Sequence, residues 1–437
     1  MDDGSIVTCF LRHEGRILAV QRSDGVGPSG GRWRGLSRSL APTRGPADGQ
    51  PIEVARAELD EAVGLSDACE LARSGDPVHV TNTDRGIDWT VYPFLFECKT
   101  RSVCPNEALL DWAWLHPPAL LDRPTGPEFW TAYRAVGPTL ETVRTDETSG
   151  SATLSIRALE ALRDRAGGIA AGEEAGDWAA VAELARDLRR ARPAMAAPRV
   201  RIDRVMAQAA PAGTPAAIAS KARVAIDRAV DADGAAAAAV APRLADEQVL
   251  TLSRSGTVQA ALEAAEPAAV LVATSRPGRE GIDTAERLVD TVDCPITLVP
   301  DAAAPGRVGA VDRVLLGADA VGPAGTVYNK VGTYPLALAA GRANVPVTVV
   351  CARDKVWPTG HEPDSSEFPT AARSSVYDGS AALSVTAPLF EATPAALISD
   401  IVTDDGVVSP EAISTISDEH AALAAWIPAE TQTDEPP

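Results

Sequence analysis

The chain has 437 residues, more than one ordinary hydrophobic core uses, and this length predicts about two or three domains. Its 60 acidic and 40 basic residues give a formal net charge of -20, which excludes recognition of DNA or RNA through a basic face. An excess of acidic residues, with only four lysines, is typical of proteins adapted to a high-salt cytosol, where screening removes self-repulsion.

The sequence contains no apolar run as long as a membrane span, and it begins without the basic and then apolar order of a signal peptide. We therefore predict a cytoplasmic protein with no membrane partner. The six cysteines show no CxxC spacing, which predicts neither a zinc site nor a disulfide framework. Cys9, Cys98 and Cys351 lie in apolar, strand-like runs, as small core residues do.

Residues 1–140 alternate short strands with one well-marked helix. A loop rich in Gly, Pro and Ser is predicted over 23–50, and a helix over 51–63, because proline opens this segment and Gly64 closes it. A last helix is predicted around Trp130. Alternating or apolar runs predict strands over 5–12, 16–21, 77–82 and 88–98, of which the first two form a hairpin.

A polar stretch over 141–152 predicts a linker, and the pattern then changes to helices. These helices are predicted over 152–165, 176–190, 198–208 and 214–238. From residue 247 apolar strands alternate with helical segments, which predicts a parallel sheet with right-handed crossovers. The strands are predicted over 249–252, 269–273, 296–299, 314–316 and 347–350. The predicted divisions are a domain over 1–140, the linker over 141–152, a helical subdomain over 153–240, a parallel-sheet subdomain over 241–427 and a disordered tail over 428–437.

The segment after the predicted strand 314–316 carries the strongest functional signal. Asp319 and Lys330 flank a Gly-rich turn there, and ligands of open α/β sheets collect at the carboxyl ends of strands. This pattern predicts a site that holds a small anionic molecule. Lysine is rare in the chain, which favours a role for Lys330. In the alternative interpretation Asp319 caps a turn and Lys330 is a solvated surface charge.

Two further segments follow predicted strands. Residues 251–257 contain two serines and an arginine and open a helix, so their hydroxyls and backbone N–H groups are suited to cradle a phosphate. Residues 275–281 offer two arginines to an anion. Each segment alone is typical of a helix cap or a surface arginine. Their joint occurrence with Asp319 at strand ends predicts one anion pocket.

Several segments follow one another along the chain after the predicted linker. They are Ile156-Arg157, Ala191-Arg192-Pro193, the segments that begin at Thr251, Ser275 and Gly317, Asn329-Lys330-Val331-Gly332-Thr333 and Phe390-Glu391. By these segments and their order, the sequence from about Ser155 to Gly406 resembles the translation initiation factor 2B alpha, beta and delta subunits, together with ribose 1,5-bisphosphate isomerase and methylthioribose 1-phosphate isomerase. The resemblance implies a helical subdomain followed by a Rossmann-like subdomain, which agrees with the predicted elements.

The isomerases of this family use a cysteine and an aspartate for proton transfer at the first two carbons of the sugar. The resemblance places Asp319 at the aspartate position and Ser253 at the cysteine position, so these are the candidate catalytic residues. A serine hydroxyl exchanges protons poorly without an adjacent base, whereas a thiol at a helix start titrates near neutrality. The non-catalytic factor subunits also depart from the cysteine, and their pocket is taken to bind a sugar phosphate or nucleotide as a regulatory ligand.

The resemblance implies a ligand-binding set around these two residues. It consists of Arg157, Arg254, Ser255, Arg276, Glu280, Asn329 and Lys330. Among them Arg157, Arg276 and Lys330 are expected to contact phosphate, while Asp319 binds sugar hydroxyls. No cofactor is expected in this domain. The family generally assembles through its Rossmann-like half, which implies a homo-oligomer.

The helix predicted over 51–63 ends within Ala57-Glu58-Leu59-Asp60-Glu61-Ala62-Val63-Gly64-Leu65, in which Glu58 and Glu61 stand on one face. With this segment, residues 4–138 resemble a Nudix domain, whose helix presents carboxylates to magnesium beside a diphosphate, so the resemblance makes Glu58 and Glu61 the candidate Mg²⁺ ligands. Ala57 and Ala62 replace an arginine and a carboxylate of the family's box, so the resemblance implies a degenerate module. The alternative interpretation is that Glu58 and Glu61 form the polar face of an amphipathic helix.

The functional prediction is an initiation factor 2B-like protein that binds a small phosphorylated ligand, either a sugar phosphate or a nucleotide, at the strand ends of its Rossmann-like half. The predicted fold class is α/β, with an α+β Nudix-like domain in front. Two alternatives stay open. One is a sugar-phosphate isomerase that uses Asp319 with Ser253, and the other is a magnesium-dependent Nudix diphosphate hydrolase that uses Glu58 with Glu61.

Overall fold

The protein is described by a computed structural model over residues 4–22, 31–40, 50–82, 87–126, 128–360, 362 and 368–428, which we call the described residues. The predicted tail lies outside them from residue 429, as does most of the predicted loop over 23–50. The chain divides into two compact units, each made of several segments. The first unit comprises Met1–Thr142, Glu160–Ala182 and Ala212–Ile226, and the second comprises Val143–Leu159, Glu183–Pro211 and Asp227–Pro437.

Within the described residues, the first unit contains a mixed eight-stranded sheet. Its strands are β1 (Gly4–His13), β2 (Arg16–Arg22), β3 (Trp33–Arg34), β4 (Leu36–Leu40), β5 (Cys69–Ser74), β6 (Val78–Asn82), β7 (Ile87–Cys98) and β8 (Leu109–Leu115). The predicted hairpin is confirmed, because β1 and β2 pair antiparallel, whereas β1 and β7 pair parallel. β3 and β4 lie inside the stretch that the sequence predicts as a loop, so that prediction is wrong there. β4 belongs to the sheet because it pairs antiparallel with β1.

Two helices, α1 (Pro51–Val63) and α2 (Phe129–Val136), cover the two faces of this sheet. Side chains alternate across a strand, so Cys9 of β1 packs in the core under α1 while its neighbour Phe10 packs in the core under α2. The predicted end of α1 is confirmed. Gly64 closes this helix with a φ of 66°, a left-handed value that glycine adopts without strain.

A disulfide joins Cys69 and Cys98. The two residues are register partners on the antiparallel strands β5 and β7. The prediction that no disulfide is present, with Cys98 as a plain core residue, is therefore wrong. Spacing could not reveal this pair, because 29 residues separate the two cysteines and no local motif joins them. Cys9 and Cys351 are buried, as predicted.

The next elements are helices. They are α3 (Leu140–Thr145), α4 (Ser151–Ala170), α5 (Trp178–Arg190), α6 (Ala196–Ala209) and α7 (Pro215–Val240). All but α3 agree with predicted helices. α3 lies in the stretch predicted as a linker, where the Thr142 amide donates a hydrogen bond to the Thr139 hydroxyl oxygen at 3.2 Å and so starts the helical turn. In the described ranges, no helix is apolar over a length that would cross a membrane.

The second half of α4 belongs to the first unit and supplies buried charges to it. The Tyr133 hydroxyl of α2 donates to Asp164 Oδ2 at 2.7 Å, and Arg163 Nε lies 2.7 Å from Asp164 Oδ1. Arg12 of β1 makes an ion pair with Glu160 at 3.4 Å. Because these groups are buried, each needs its partner to offset the cost of leaving water. The sheet of the first unit therefore depends on residues of α4.

The second unit is built around a parallel sheet. Its elements are β9 (Gln248–Leu252), α8 (Gly256–Ala265), β10 (Ala269–Ala273), α9 (Glu280–Thr291), β11 (Ile296–Val299), β12 (Arg313–Leu316), β13 (Ala320–Val321), β14 (Val327–Lys330), α10 (Thr333–Ala343), β15 (Val347–Val350), β16 (Phe390–Thr393), β17 (Asp400–Thr403), β18 (Gly406–Val408) and α11 (Pro410–Ala422). Among the described residues the strand order is β11-β10-β9-β12-β15-β17-β18, and β18 alone runs antiparallel to its neighbour. The predicted parallel sheet is confirmed, and each of its five predicted strands agrees with the observed bounds to within one residue.

The strands of this sheet end along one edge, because neighbouring strands run in the same direction. Apolar side chains fill both faces. Leu250 and Leu252 pack in the core on one face, and Val249 packs in the core on the other. The loops at the carboxyl ends of the strands are thereby held by a sheet whose central strands are buried on both faces.

The second unit also contains a small antiparallel sheet, which is β13-β14-β16 within the described residues. The predicted turn before Lys330 is confirmed, since the Gly322 amide donates to the Thr326 carbonyl oxygen at 2.8 Å. β14 itself was not predicted from sequence. It forms because β16, much later in the chain, pairs with it and sets Lys330 opposite Phe390. Lys330 therefore lies on a strand, where the sequence predicts only a turn.

Candidate functional site

Three residues at the carboxyl edge of the parallel sheet have a left-handed backbone. Ser253 follows β9, and Ser275 and Arg279 lie between β10 and α9; their φ angles are 64°, 61° and 67°. Residues other than glycine rarely adopt such angles, because the Cβ approaches the following carbonyl oxygen. Backbone strain of this kind concentrates at functional sites. Two of the loops that the sequence predicts to bind ligand are thus also strained.

The loops after β9, β10 and β12 contact one another. The Ser253 amide donates to the Ser275 hydroxyl oxygen at 2.5 Å, and the Thr284 hydroxyl donates to the Ser253 carbonyl oxygen at 2.9 Å. Gly317 has no room for a side chain, because an added Cβ would lie 2.7 Å from the Ser255 hydroxyl oxygen. The structure therefore brings the three predicted strand-end segments together.

Asp301, which sequence reasoning missed, fixes the loop after β10. Its carboxylate accepts hydrogen bonds from the Ser275 amide at 2.6 Å, the Arg276 amide at 2.8 Å and the Thr274 hydroxyl at 2.9 Å. Asp301 itself lies just after β11, at the next strand end. The rule that selected Asp319, an acidic residue shortly after an apolar strand, could have found Asp301 as well.

Asp319 and Lys330 share a group of four charges with Glu280 and Lys355. Lys330 Nζ lies 2.6 Å from Glu280 Oε1, and the two side chains are 10% and 16% exposed. Lys355 Nζ donates to the Ala318 carbonyl oxygen at 2.7 Å. Burial raises the pKa of the Asp319 carboxyl, the ammonium groups of Lys355 and Lys330 partly offset this rise, and Glu280 adds to it. We call these four charged residues the charge cluster.

Lys355, which sequence reasoning also missed, is held by a buried ion-pair network. The preceding residue, Asp354, has carboxylate oxygens 2.7 Å from Arg204 Nη1 and 3.1 Å from Arg201 Nε. Burial alone would raise the pKa of the Asp354 carboxyl, but the two guanidinium groups hold this pKa well below its usual range. The network fixes the backbone at this point, so the Lys355 ammonium is held near Asp319.

Asn329 and the start of α10 are organised by local hydrogen bonds. Asn329 Nδ2 donates to Thr333 Oγ1 at 2.9 Å, so this amide is engaged within its own turn. Glu391, opposite Asn329 in the small antiparallel sheet, accepts from the amides of Gly332 and Tyr334 at 2.7 and 2.8 Å. A carboxylate of the protein therefore occupies the N-terminal end of α10, where the helix dipole attracts an anion.

The predicted arginines differ in their surroundings. Arg254 lies 3.5 Å from Asp283 in an ion pair, and Arg276 is exposed. Arg157 is partly buried in the first half of α4. The start of α4 is close to the loop after β9, because a Cβ added to Gly150 would lie 3.9 Å from the Arg254 carbonyl oxygen. The structure thus places Arg254 and Arg276 in the strand-end loops and the helix of Arg157 beside them.

Among the described residues at this sheet edge, no exposed thiol replaces the cysteine that the isomerase resemblance expects at Ser253. Cys351 follows β15 at the same edge, but it is fully buried, and this burial raises its pKa to about 12. Such a thiol carries almost no thiolate at neutral pH. The site therefore contains a carboxyl group suited to proton transfer, Asp319, without a matching thiolate.

Glu58 and Glu61 of the first unit are both close to Arg38. Arg38 Nη1 lies 2.7 Å from Glu61 Oε2 and 3.9 Å from Glu58 Oε2. Arg38 stands on β4, the strand that replaces part of the predicted loop. Glu58 is buried and Glu61 is exposed. Within the described part of the chain, no group of three or more His, Cys, Asp or Glu side chains is arranged to hold a metal ion.

The parallel sheet with helices on both faces places the second unit in the Rossmann-like α/β class. A model of the Initiation factor 2 subunit family matches residues 147–410. Because this match covers more than half of the sequence, the chain belongs to that family.

Curated relatives in this family are sugar-phosphate isomerases by name. The chain is 37% identical over 164 residues to ribose 1,5-bisphosphate isomerase of Haloferax volcanii, covering 36% of this chain and 50% of that protein. It is 34% identical over 173 residues to methylthioribose-1-phosphate isomerase of Cronobacter sakazakii, covering 36% of this chain and 50% of that protein. The chain thus spans about half the length of the curated relatives it matches.

Two solved structures share the fold. Translation initiation factor eIF-2B of Pyrococcus horikoshii OT3 matches with a TM-score of 0.53 at 23% identity, covering 62% of this chain and 94% of that chain. The 5-methylthioribose 1-phosphate isomerase of the same organism also matches with a TM-score of 0.53, at 17% identity, covering 72% of this chain and 90% of that chain. At these identities the likeness concerns the fold alone.

Proposed function

We propose that the loops after β9, β10 and β12 form, together with the charge cluster, a site that binds a small sugar phosphate. We call it the strand-end site. The observation that carries this proposal is the charge cluster, in which Asp319 lies near Lys330 and Lys355 at the carboxyl edge of a parallel sheet. Carboxylates accept hydrogen bonds from sugar hydroxyls, and neighbouring arginines and hydroxyls donate to phosphate. The names of the curated relatives, both isomerases of sugar phosphates, support the same ligand class.

The phosphate and the sugar bind to different parts of the site. Ser255 caps α8 by accepting from the Val258 amide at 3.3 Å, and the start of this helix attracts an anion through its dipole. Arg254, Arg276 and Arg157 supply guanidinium groups to the same anion. Asp319 accepts from the sugar hydroxyls. The same groups would also bind the ribose and phosphate of a nucleotide. Titration with adenosine monophosphate distinguishes a nucleotide site from a sugar-phosphate site.

Calorimetric titration of the full chain tests the binding proposal. We expect binding of ribose 5-phosphate, weakened about tenfold by either Arg254→Met or Arg276→Met, because each change removes a charge-assisted hydrogen bond. Arg287→Met, an exposed arginine of α9, is the matched control and should not change the affinity. Adenosine monophosphate is titrated in parallel. Failure of both compounds to bind would contradict the proposal, whereas tighter binding of the nucleotide would redefine the ligand class.

A second candidate function is isomerisation of the bound sugar phosphate. The observation that favours it is the position of Asp319 beside Lys330 and Lys355, where burial raises the pKa of its carboxyl above the ordinary range and so favours a role as proton donor. Incubation with ribose 1,5-bisphosphate and ribose 1-phosphate, followed by NMR detection of a ketose, tests this activity. Turnover by the wild type that Asp319→Asn abolishes would support it. Absence of turnover in both the wild type and Ser253→Cys would exclude it.

We propose that the first unit is a Nudix-like module without hydrolase activity. A mixed sheet between α1 and α2 supports the fold, and the contact of Arg38 with Glu61 and Glu58 supports the loss of magnesium binding. Magnesium-dependent cleavage of a nucleoside diphosphate sugar, abolished by Glu61→Gln, would contradict this proposal. A homo-oligomer assembled through the second unit stays a prediction, which light scattering of the full chain checks.

A further inference from the structure

The strand-end site offers fewer positions for an anion than its sequence suggests. The amides after β10 donate to Asp301, and the amides at the start of α10 donate to Glu391. The Lys330 ammonium is paired with Glu280. In each of these three places a carboxylate of the protein stands where a phosphate oxygen would otherwise bind.

The charge cluster is electrically balanced. Glu280 and Asp319 bring two negative charges when ionised, and Lys330 and Lys355 bring two positive charges. With both carboxyls ionised, the cluster has no spare positive charge to neutralise a phosphate dianion. A phosphate placed against it would meet both carboxylates in a largely buried setting, where repulsion between like charges is strong.

Glu280 is also the residue with an unused acceptor. Its Oε1 receives the Lys330 ammonium, whereas Oε2 is buried and accepts no hydrogen bond from any described residue. A buried acceptor without a donor costs free energy, which a ligand hydroxyl would recover. The carboxylate is packed against Gly278, where an added Cβ would lie 2.3 Å from Oε1 and 2.5 Å from Oε2. The close packing limits its movement away from the cluster.

The start of α8 is the position that stays open to a phosphate. Ser255 caps this helix, and among the described residues no carboxylate accepts a hydrogen bond from the amides of Gly256 or Thr257. Arg254 precedes the cap and lies 3.5 Å from Asp283, whose side chain is 56% exposed. A surface pair of this kind exchanges partners at little cost. This end of the site can therefore accept one phosphate.

We infer that the site selects a sugar monophosphate over a sugar bisphosphate, and that Glu280 sets this preference. The inference rests on the proposed function. The single phosphate binds at the start of α8, and a sugar hydroxyl donates to Glu280 Oε2 while Oε1 keeps Lys330 in place. A second phosphate at the far end of the sugar is repelled by the same carboxylate.

Calorimetric titration of the full chain with ribose 5-phosphate and ribose 1,5-bisphosphate at one fixed ionic strength tests the inference. The wild type should bind the monophosphate about tenfold more tightly than the bisphosphate, because repulsion by Glu280 acts on the second phosphate alone. Glu280→Gln should bind the bisphosphate more tightly than the wild type does and should lose the preference. Glu286→Gln removes the same charge from an exposed position of α9 and should keep the wild-type preference.

The outcomes separate the inference from the proposed function. Equal or tighter binding of the bisphosphate to the wild type overturns the inference and leaves the proposed function standing. A preference that survives in Glu280→Gln overturns the role of Glu280. Failure of both sugars to bind overturns the proposed function and the inference together. If thermal melting shows that Glu280→Gln does not fold, Glu280→Asp takes its place, and a preference unchanged by this shortened side chain counts against Glu280.

Discussion

The two units both hold carboxylates against basic side chains, but they do so in different surroundings. In the first unit Arg38 and Glu61 are 40% and 60% exposed, so water and salt screen their attraction. In the second unit Lys330 and Glu280 are 10% and 16% exposed, and each depends on the other to offset the cost of burial. Of the two candidate sites, only that of the second unit therefore holds its charges in a largely buried setting.

The backbone at the two candidate sites repeats this difference. The first unit ends α1 with Gly64 in the left-handed region, which costs almost nothing. The second unit puts Ser253, Ser275 and Arg279 at left-handed angles, where glycine would be less strained. The second unit keeps side chains at these positions despite the strain, which is typical of residues retained for contact with a ligand.

The largest expected effect comes from breaking the buried pair. Lys330→Met should lower the free energy of unfolding by about 3 to 5 kcal/mol, because Glu280 is left charged and buried without its partner. Arg38→Met, the matched change at the exposed pair, should cost less than about 1 kcal/mol. Denaturant unfolding of both variants measures the difference. Equal losses would contradict the comparison between the two units.

The next effect concerns the disulfide of the first unit. Replacing Cys69 and Cys98 together by serine should lower stability by about 2 to 4 kcal/mol, because the unfolded chain gains freedom when the cross-link is removed. Ribose 5-phosphate titration should be unchanged, since the strand-end site lies in the second unit. Cys104→Ser, at an exposed free cysteine, is the control and should melt like the wild type. A disulfide variant that melts like the wild type would refute this prediction.

Protonation of His420 at low pH should lower the stability of the second unit. Its ring donates from Nδ1 to the Val356 carbonyl oxygen at 2.8 Å and accepts at Nε2 from Arg204 at 3.4 Å. Burial lowers the pKa of His420 from 6.5 to about 4, so the unfolded chain takes up a proton at this residue before the folded chain does. Stability should therefore fall as the pH drops from about 6.5 to about 4, by at most about 3 kcal/mol.

Thermal melting between pH 7 and pH 4.5 measures this loss. His420→Gln cannot take up the proton, so its melting temperature should fall less steeply with pH than that of the wild type. His79→Gln, at an exposed histidine of the first unit, should follow the wild type. If the melting temperature of His420→Gln falls with pH as steeply as that of the wild type, other titrating groups cause the loss of stability.

The smallest expected effect is a gain in thermal stability. Burial raises the pKa of Asp319, so the folded state holds this proton more tightly than the unfolded state, and stability is lost as the pH rises through the folded pKa. Asp319→Asn should therefore raise the melting temperature at pH 8 by about 1 to 3 °C and show a smaller gain at pH 4. Asp290→Asn, at an exposed residue of α9, should show no gain. A lower melting temperature for Asp319→Asn at pH 8 would oppose the assigned pKa direction.

The parallel sheet could be predicted from sequence because its strands are buried on both faces and appear as short apolar runs, such as 347–350. The strand 327–330 could not, because it contains Asn329 and Lys330 and lies between the two-residue strand 320–321 and the distant strand 390–393, with which it pairs. β3 and β4 were missed for a similar reason. Their residues are partly polar, and pairing with β2 and β1 holds them in the sheet.

The residues of the site divide in the same way, into those that local sequence predicts and those that depend on distant contacts. Asp319 lies three residues after the end of a buried strand, so a local rule found it. Lys355 has no such signal, because its place depends on Asp354 and on arginines of α6 that are distant in sequence. The pairing of Glu280 with Lys330 joins the first residue of α9 to the last residue of β14, and sequence alone assigns both to the ligand. Contacts between distant segments decide which charges are available, and sequence order does not show them.

The buried partners that α4 supplies to the first unit determine how this protein can be divided for experiments. A fragment ending at residue 140 would lose Glu160 and Asp164, so Tyr133 would lose its carboxylate partner and Arg12 would keep only Glu97, at 2.8 Å. The Tyr133 hydroxyl would then lack its buried acceptor. Separate production of the N-terminal half therefore requires the chain to extend through α4, and truncation at the polar stretch 141–152 should give an insoluble product.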